Sequence, residues 1–305
     1  MKILVTGGAG FIGSHLVDAL LAAGHTVVVI DNLRTGRREN LNAAATLAEM
    51  DIGSAQLADV VAAHRPEAVF HLAAQAEVRF SVAHPAADAQ INIVGSVNLL
   101  QAARRAGVRQ FIFASSGGAI YGDTAARPTP EDQLPQPASP YGIAKLAVEH
   151  YLRVLGELAP MRTAALRCAN VYGPRQDARG EAGVVAIFCD RLLRGEPAPI
   201  NGDGEQTRDF VFVSDVVSAN LAAWRAEASG EFNIGAGREI SVNQLAGMIR
   251  SAVGSGTFTH GPAKPGEQRR SCLDARRAKA MLGWQPQVAL AEGIARTVAW
   301  FRQRQ

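Results

Sequence analysis

Cysteine is scarce in this 305-residue chain, with Cys168, Cys189 and Cys272 standing far apart. An odd number without the short spacing of a metal clip argues against a disulfide framework or thiolate metal centre. No metal is expected, and a reducing compartment is. Uninterrupted apolar runs of about 18 residues are absent, so no membrane span is expected. The apolar run in MKILVTGG is too short for a secretory signal, and a cytoplasmic protein is expected. Charge of one sign is lacking too: 31 basic against 28 acidic residues leave a net +3, spread along the chain, which gives little reason to expect a nucleic-acid partner. No internal repeat or low-complexity tract interrupts the chain. Lysine is the rarest charge, four residues against 27 arginines.

What is present is strand–helix alternation. KILVT (2–6), TVVVI (26–30), EAVFHL (67–72), QFIFAS (110–115) and RTAALR (162–167) read as buried strands. Between them 12–23, 54–64, 90–106 and 140–156 read as helices, the second opening on the capping Ser54 and ending before Pro66. This predicts an α/β fold, a Rossmann-type doubly wound parallel sheet. Beyond residue 170 glycine- and proline-rich loops separate helices near 183–194, 214–226, 241–253, 274–282 and 289–303. The expected division is a dinucleotide-binding domain, 1–169, and a smaller C-terminal α/β substrate domain, 170–305. DFVFV (209–213) and EFNIG (231–235) are candidates to return to the first.

TGGAGFIGSH (6–15) places Gly7, Gly10 and Gly13 between the first strand and a helix. Glycines there let the backbone turn tightly and approach a pyrophosphate at the helix N-terminus. Asp31 closes the second strand, where an acid accepts hydrogen bonds from ribose hydroxyls and repels a 2′-phosphate. NAD is therefore favoured over NADP, with Arg34, Arg37 and Arg38 as the counter-evidence. His15 and His71 read as structural.

One of the four lysines lies in SPYGIAK (139–145), four residues after Tyr141. On a helix that spacing stacks the pair on one face. An adjacent ammonium favours the phenolate, so the spacing fits either a base with a lowered pKa or an ordinary exposed i, i+4 pair. Taken in order, TGGAGFIGSH, DNL (31–33), HLAAQ (71–75), SSGGAIYG (115–122), YGIAK and NVYGPRQ (170–176) resemble the extended short-chain dehydrogenase/reductases, and within them the UDP-glucose (UDP-galactose) 4-epimerase group.

The resemblance implies Tyr141 as base, Lys145 as its partner and a serine as third catalytic group, Ser116 by preference with Ser115 open, since the GGAI loop carries one extra residue. It implies NAD contacts at Phe11, Ile12, Asn32, Asp51, Ile52, Leu72, Ala73, Ala74, Gln75, Asn92 and Ser115 besides the glycines, Asp31, Tyr141 and Lys145. For a UDP-sugar it implies Ser116, Tyr141, Asn170, Val184, Val185, Asn201, Arg208, Phe210, Lys264, Glu267 and Ser271. Arg270 is a further candidate for the diphosphate. Cys168-Ala169 and Lys264 depart from the group's usual residues, and the small Ser271 implies room for an N-acetyl group, as in UDP-GlcNAc or UDP-GalNAc. A homodimer is implied through helices 90–106 and 140–156, whose Leu99, Leu100, Leu146, Val148, Leu152 and Leu155 serve either that interface or the monomer core.

The function this implies is NAD-dependent inversion of C4 of a UDP-hexose through a transient 4-keto intermediate, with tightly bound NAD regenerated each turnover. Alternatives are epimerisation or decarboxylation of UDP-glucuronate and a non-catalytic NAD(H)-sensing protein. A 4,6-dehydratase needs an acid pair where Gly117-Gly118 stand.

Overall fold

β-Branched runs with no polar alternation build the centre of the molecule. The computed structural model describes residues 1–124, 126–179, 183–263 and 268–304. Strands β1 (Lys2–Thr6), β2 (Thr26–Asp31), β3 (Thr46–Glu49), β4 (Ala68–His71), β5 (Gln110–Ser116) and β6 (Arg162–Cys168), with Gly230–Ile234, form one seven-stranded sheet. Every pairing in it is parallel. From one edge the order is Gly230–Ile234, β6, β5, β4, β1, β2, β3. The chain thus winds one way through β1–β3, then crosses back to β4. Ligands of doubly wound sheets settle in the crevice at such a reversal, outside the carboxyl ends of the strands. Here β1 and β4 run in register, Thr6 opposite His71. That register sets the glycine loop beside HLAAQ.

Helices cover both faces. On one, α1 (Phe11–Ala22) and Val213–Arg225 bury Leu16, Leu20, Val216 and Ala219 against Val5, Phe70 and Phe232. On the other, α2 (Leu57–His64), Gly95–Arg105 and Pro140–Glu157 bury Leu57, Leu99, Val148 and Leu152 against Val28, Phe111 and Phe113. Each such leucine, valine or phenylalanine contributes about 1.5–3 kcal/mol on burial. A separate core gathers Val184–Leu193, Val242–Val253 and Leu290–Arg302 around Phe188, Leu245 and Val298. Among the described residues no helix is long and apolar enough to cross a membrane.

Several expectations need correction. Ser54 does not cap α2; the helix starts at Leu57, and Ser54 closes the turn before it, accepting from Gln56 N. The helix expected at 90–106 begins at Pro85 and widens into a π-turn at Gln90–Val94 before continuing to Arg105. Strand Phe210–Phe212 does not rejoin the main sheet. It pairs in parallel with Asn170–Tyr172 as a separate ribbon. The segment Gly230–Ile234 does rejoin it, beside β6. Leu99, Leu100, Val148 and Leu152 are buried in the monomer core, with Leu155 packed against it.

Candidate active site

The glycine loop is shaped by close backbone approach. Gly7 has φ +69°, and a Cβ there would fall 2.7 Å from Ala73 N. The loop after β1 thus lies directly on the loop after β4. Thr6 Oγ1 accepts from Ala73 N and pairs with His71 Nδ1 at 2.7 Å, while His71 Nε2 pairs with Ser96 Oγ at 2.8 Å. Burial pushes the His71 imidazole down to about 3, with Lys145 adding to the effect. His71 is neutral and load-sharing between β1 and the Gly95–Arg105 helix. His15 bonds Pro174 O.

Asp31 closes β2 with both oxygens engaged, accepting from Ala9 N at 2.9 Å and Leu33 N at 2.9 Å. The neighbouring turn is fastened by Asn32 Nδ2 donating to Asp51 Oδ2, while Asp51 Oδ1 accepts from Gly53 N. Ile52 is buried behind it. The three nearby arginines have other occupations. Arg37 pairs with Asp177 at 2.8 Å, Arg38 pairs with Glu49, and Arg34 lies over the Phe80 ring. None is committed to a 2′-phosphate.

Across the crevice, Asn92 clasps the HLAAQ loop: its Oδ1 accepts from Gln75 N and its Nδ2 donates to Gln75 O, both at 2.9 Å. The π-turn, a feature frequent at functional sites, carries this asparagine.

SPYGIAK folds as its residues dictate. Ser139 caps the helix, its hydroxyl accepting from Gly142 N at 3.2 Å, and Pro140 takes the first helical position. A Cβ on Gly142 would meet Ala119 O at 2.4 Å. That absence lets the helix press onto the single turn Gly117–Ile120, which absorbs the extra residue after Ser116. Tyr141 and Lys145 then share one face, Lys145 Nζ lying 5.7 Å from the Tyr141 ring centroid and 4.6 Å from that of Phe113. The ammonium donates to Ala114 O at 2.8 Å, one of the three hydrogen bonds it can give.

Adjacent serines on β5 face opposite ways, as strand residues must. Ser116 stands on the Tyr141 side, close enough to act on the phenol. Ser115 donates to Glu149 Oε1 at 2.5 Å, and Glu149 is bridged by Arg167 at 2.7 Å in a buried pair. Arg167 continues to the Tyr121 hydroxyl, which donates to Asn233 Oδ1. Ser115 therefore belongs to the buried network and not beside the phenol.

The electrostatics correct one expectation. Burial outweighs the neighbours and raises the Tyr141 pKa; Ser116 pulls it back, while Cys168 and Asp88 push it further up. Burial also lowers Lys145 to about 8. The ammonium faces the aromatic ring, where desolvation, not charge, dominates the phenol. Cys168, buried beside Lys145, has its thiol pushed up to about 12 and is inert.

The second wall comes from later segments. Asn170 is exposed where its strand meets Phe210–Phe212, and Asn201 ends the strand Ala198–Asn201. Arg208 pairs in register with Ile240 and donates to Thr207 O at 2.8 Å. Ser271 N donates to Thr207 O, and its hydroxyl stands 3.9 Å from where a Cβ on Gly118 would be. These contacts bring Arg208 and Ser271 to the Ser116 side of the crevice. Arg270 is held by Glu239, at 2.8 Å from Nε. Val184 is partly buried at its helix start, but Val185 is buried in the core. Phe210 spends its ring against Tyr172, edge-on at 6.4 Å. Lys264 and Glu267 lie outside the described residues.

Sequence reasoning missed three groups here. Asp209 is fully buried and accepts from Ala236 N, Gly237 N and Leu273 N, and burial raises it to about 6. Its adjacency to Arg208 was the available signal. Glu149, eight residues after Tyr141, and Asp88, four before Asn92, stand at helical spacings that mark them.

The model of the NAD dependent epimerase/dehydratase family matches residues 3–235. The chain belongs to this family. A UDP-glucose 4-epimerase of Mycolicibacterium smegmatis is 50% identical over 100% of this chain and 99% of its own. A Thermotoga maritima UDP-glucose 4-epimerase solved with UDP-glucose superposes with a TM-score of 0.96 at 50% identity, covering 100% of this chain and 99% of that one. The Thermus thermophilus UDP-glucose 4-epimerase complex with NAD gives 0.95 at 42% identity, with 99% of each covered. The residues of this family member fit NAD: a carboxylate held at the end of β2, arginines engaged elsewhere, and a buried ammonium with two donors to spare.

Proposed function

We propose that the chain inverts C4 of a UDP-hexose, interconverting UDP-glucose and UDP-galactose with resident NAD. The observation that carries this is the convergence of Tyr141, Lys145 and Ser116 at the carboxyl end of β5, one strand from the β1–β4 crevice. Full-length relatives of this activity support the same reading.

Tyr141 takes the proton of the sugar 4-hydroxyl as C4 is oxidised to the ketone, and returns it when the ketone is reduced from the opposite face. Ser116, on the Tyr141 side of β5, steadies the charge developing on O4. Lys145, fixed on Ala114 O, keeps donors that would hold the cofactor ribose. When bound, NAD supplies the hydride acceptor and a cationic ring, the positive charge a desolvated phenol needs. Asn170, Arg208 and the Ser271 segment hold the nucleotide side, and the small Ser271 leaves space for an N-acetyl group.

A homodimer through the two long helices goes with this function. Its apolar face is not the leucines of the core but Val94, Ile143, Tyr151 and Val154, exposed by 48, 53, 44 and 43%. Purified protein given UDP-galactose without added NAD should form UDP-glucose, read by chromatography. Turnover of UDP-glucuronate alone, or no turnover, overturns the reading.

A further inference from the structure

Arg208 and Ser271 reach the crevice from short strands and loops, and such segments need an anchor to stand at a fixed height above the catalytic turn. Asp209, next in the chain to Arg208, is fully buried. Its carboxylate is committed to backbone amides: Oδ1 accepts from Ala236 N at 2.9 Å, and Oδ2 from Gly237 N at 3.1 Å and Leu273 N at 3.2 Å. Its own carbonyl accepts from Asn170 N at 2.9 Å. The residue after the strand Gly230–Ile234 makes room for it, since a Cβ on Gly235 would fall 2.4 Å from Oδ2. One residue thus joins Asn170, the loop after that strand and the segment that carries Ser271. Three amides converge on two oxygens, a demand a carboxylate meets. An asparagine there would turn an NH2 group toward an N–H.

The Ser271 segment is laid down as a strip between two threonines. Thr207 N donates to Arg269 O at 3.0 Å and Ser271 N to Thr207 O at 3.2 Å; further on, Thr129 N donates to Cys272 O at 2.8 Å. Leu273 N is the point that Asp209 holds. The Leu273 side chain then lies on the catalytic turn, where a Cβ on Gly117 would come within 2.6 Å of its Cδ1. Gly117 directly follows Ser116. Contact therefore runs from the carboxylate through Leu273 to the turn after Ser116, and along the backbone to Ser271 opposite Gly118. A buried carboxylate on amides is not in itself a device of the site. Asp215, also buried, accepts from Gln287 N and Val288 N, both at 3.1 Å, and fastens the C-terminal segment instead.

We propose that Asp209 is a positioning residue of the nucleotide-sugar wall, setting Asn170 and residues 271–273 in register against the turn after Ser116. The role deepens the UDP-hexose reading and rests on it. The test is calorimetric binding of UDP to the NAD-loaded protein, which needs no turnover, at a temperature where every variant is folded. Asp209→Asn, nearly isosteric, should raise the dissociation constant for UDP about tenfold. Its bound NAD, released by acid and read by absorbance, should stay at the wild-type content. Asp215→Asn should lower the melting temperature and leave UDP affinity where it is in the wild type. In kinetics, Asp209→Asn should raise KM for UDP-galactose by more than it lowers kcat. If Asp209→Asn does not fold, Gly235→Ala, which forces the carboxylate aside without removing it, serves the same measurement. Unchanged UDP affinity in a folded Asp209 or Gly235 variant overturns the proposal and leaves the substrate reading intact, since the wild type still binds. Equal weakening in Asp215→Asn also overturns it, because the effect would then follow from lost stability. A wild type that does not bind UDP overturns the substrate reading, and this role with it.

Discussion

Ser115 and Ser116 are chain neighbours with opposite fates. The Ser115 face of β5 meets Glu149, Arg167, Tyr121 and Asn233, where every charge has a bonded opposite. The Ser116 face meets Tyr141 and Lys145, where the buried ammonium is held only by the neutral Ala114 carbonyl. Paired charges stiffen a fold, and their loss costs about 3–5 kcal/mol. Unpaired ones leave ionisation free to respond to what binds. One pleat of a strand thus divides support from chemistry.

The comparison breaks first at Tyr141. Tyr141→Phe should lower turnover by about 10²–10⁴-fold with an unchanged melting temperature. Near-wild-type rates by the chromatographic assay would remove the phenol as base. The two serines sharpen the contrast. Ser116→Ala should lower kcat by about 10²-fold at little cost in stability. Ser115→Ala should keep kcat but lower unfolding free energy by about 1–3 kcal/mol, because Glu149 loses a donor in a buried place. Like behaviour in urea melts and kinetics would erase the distinction between faces.

The smallest effect concerns His71. Its native pKa is depressed to about 3 while the unfolded value stays near ~6.5. Below the unfolded value the unfolded chain binds the extra proton, so stability is full above it and is lost as pH falls toward the native value. Between pH ~7.5 and ~5 the loss from this group is about 2 kcal/mol. Denaturant melts of His71→Asn should show a shallower pH dependence; an equal slope would assign the acid sensitivity elsewhere.

Much of this was legible beforehand because the signals were local. The glycine loop, the acid ending β2 and the SPYGIAK helix each carry a short signature in the chain itself. β3 was missed: TLAE is a partly exposed edge strand, so apolar periodicity is absent. Helix Val78–Ala83 and the turn at Pro85–Ala89 hid behind a proline that reads as a breaker but occupies a first helical turn. The direction of the Tyr141 shift was not legible, since spacing reports a neighbour but not the depth of burial. For the same reason spacing left Leu99, Leu100, Val148 and Leu152 open between an interface and the core, and the fold buries them in the core.

The strand Gly230–Ile234 reaches the main sheet only after the chain has travelled through Asn170–Tyr172, Val184–Leu193 and Ala198–Asn201. Helix Val213–Arg225 comes home with it, onto α1. A fragment cut after residue 169 would leave β6 as a raw edge and strip Leu16, Val17 and Leu20 of part of their cover. Grafting this nucleotide-binding half onto another protein would therefore require carrying the later segment along, or inventing a substitute for it.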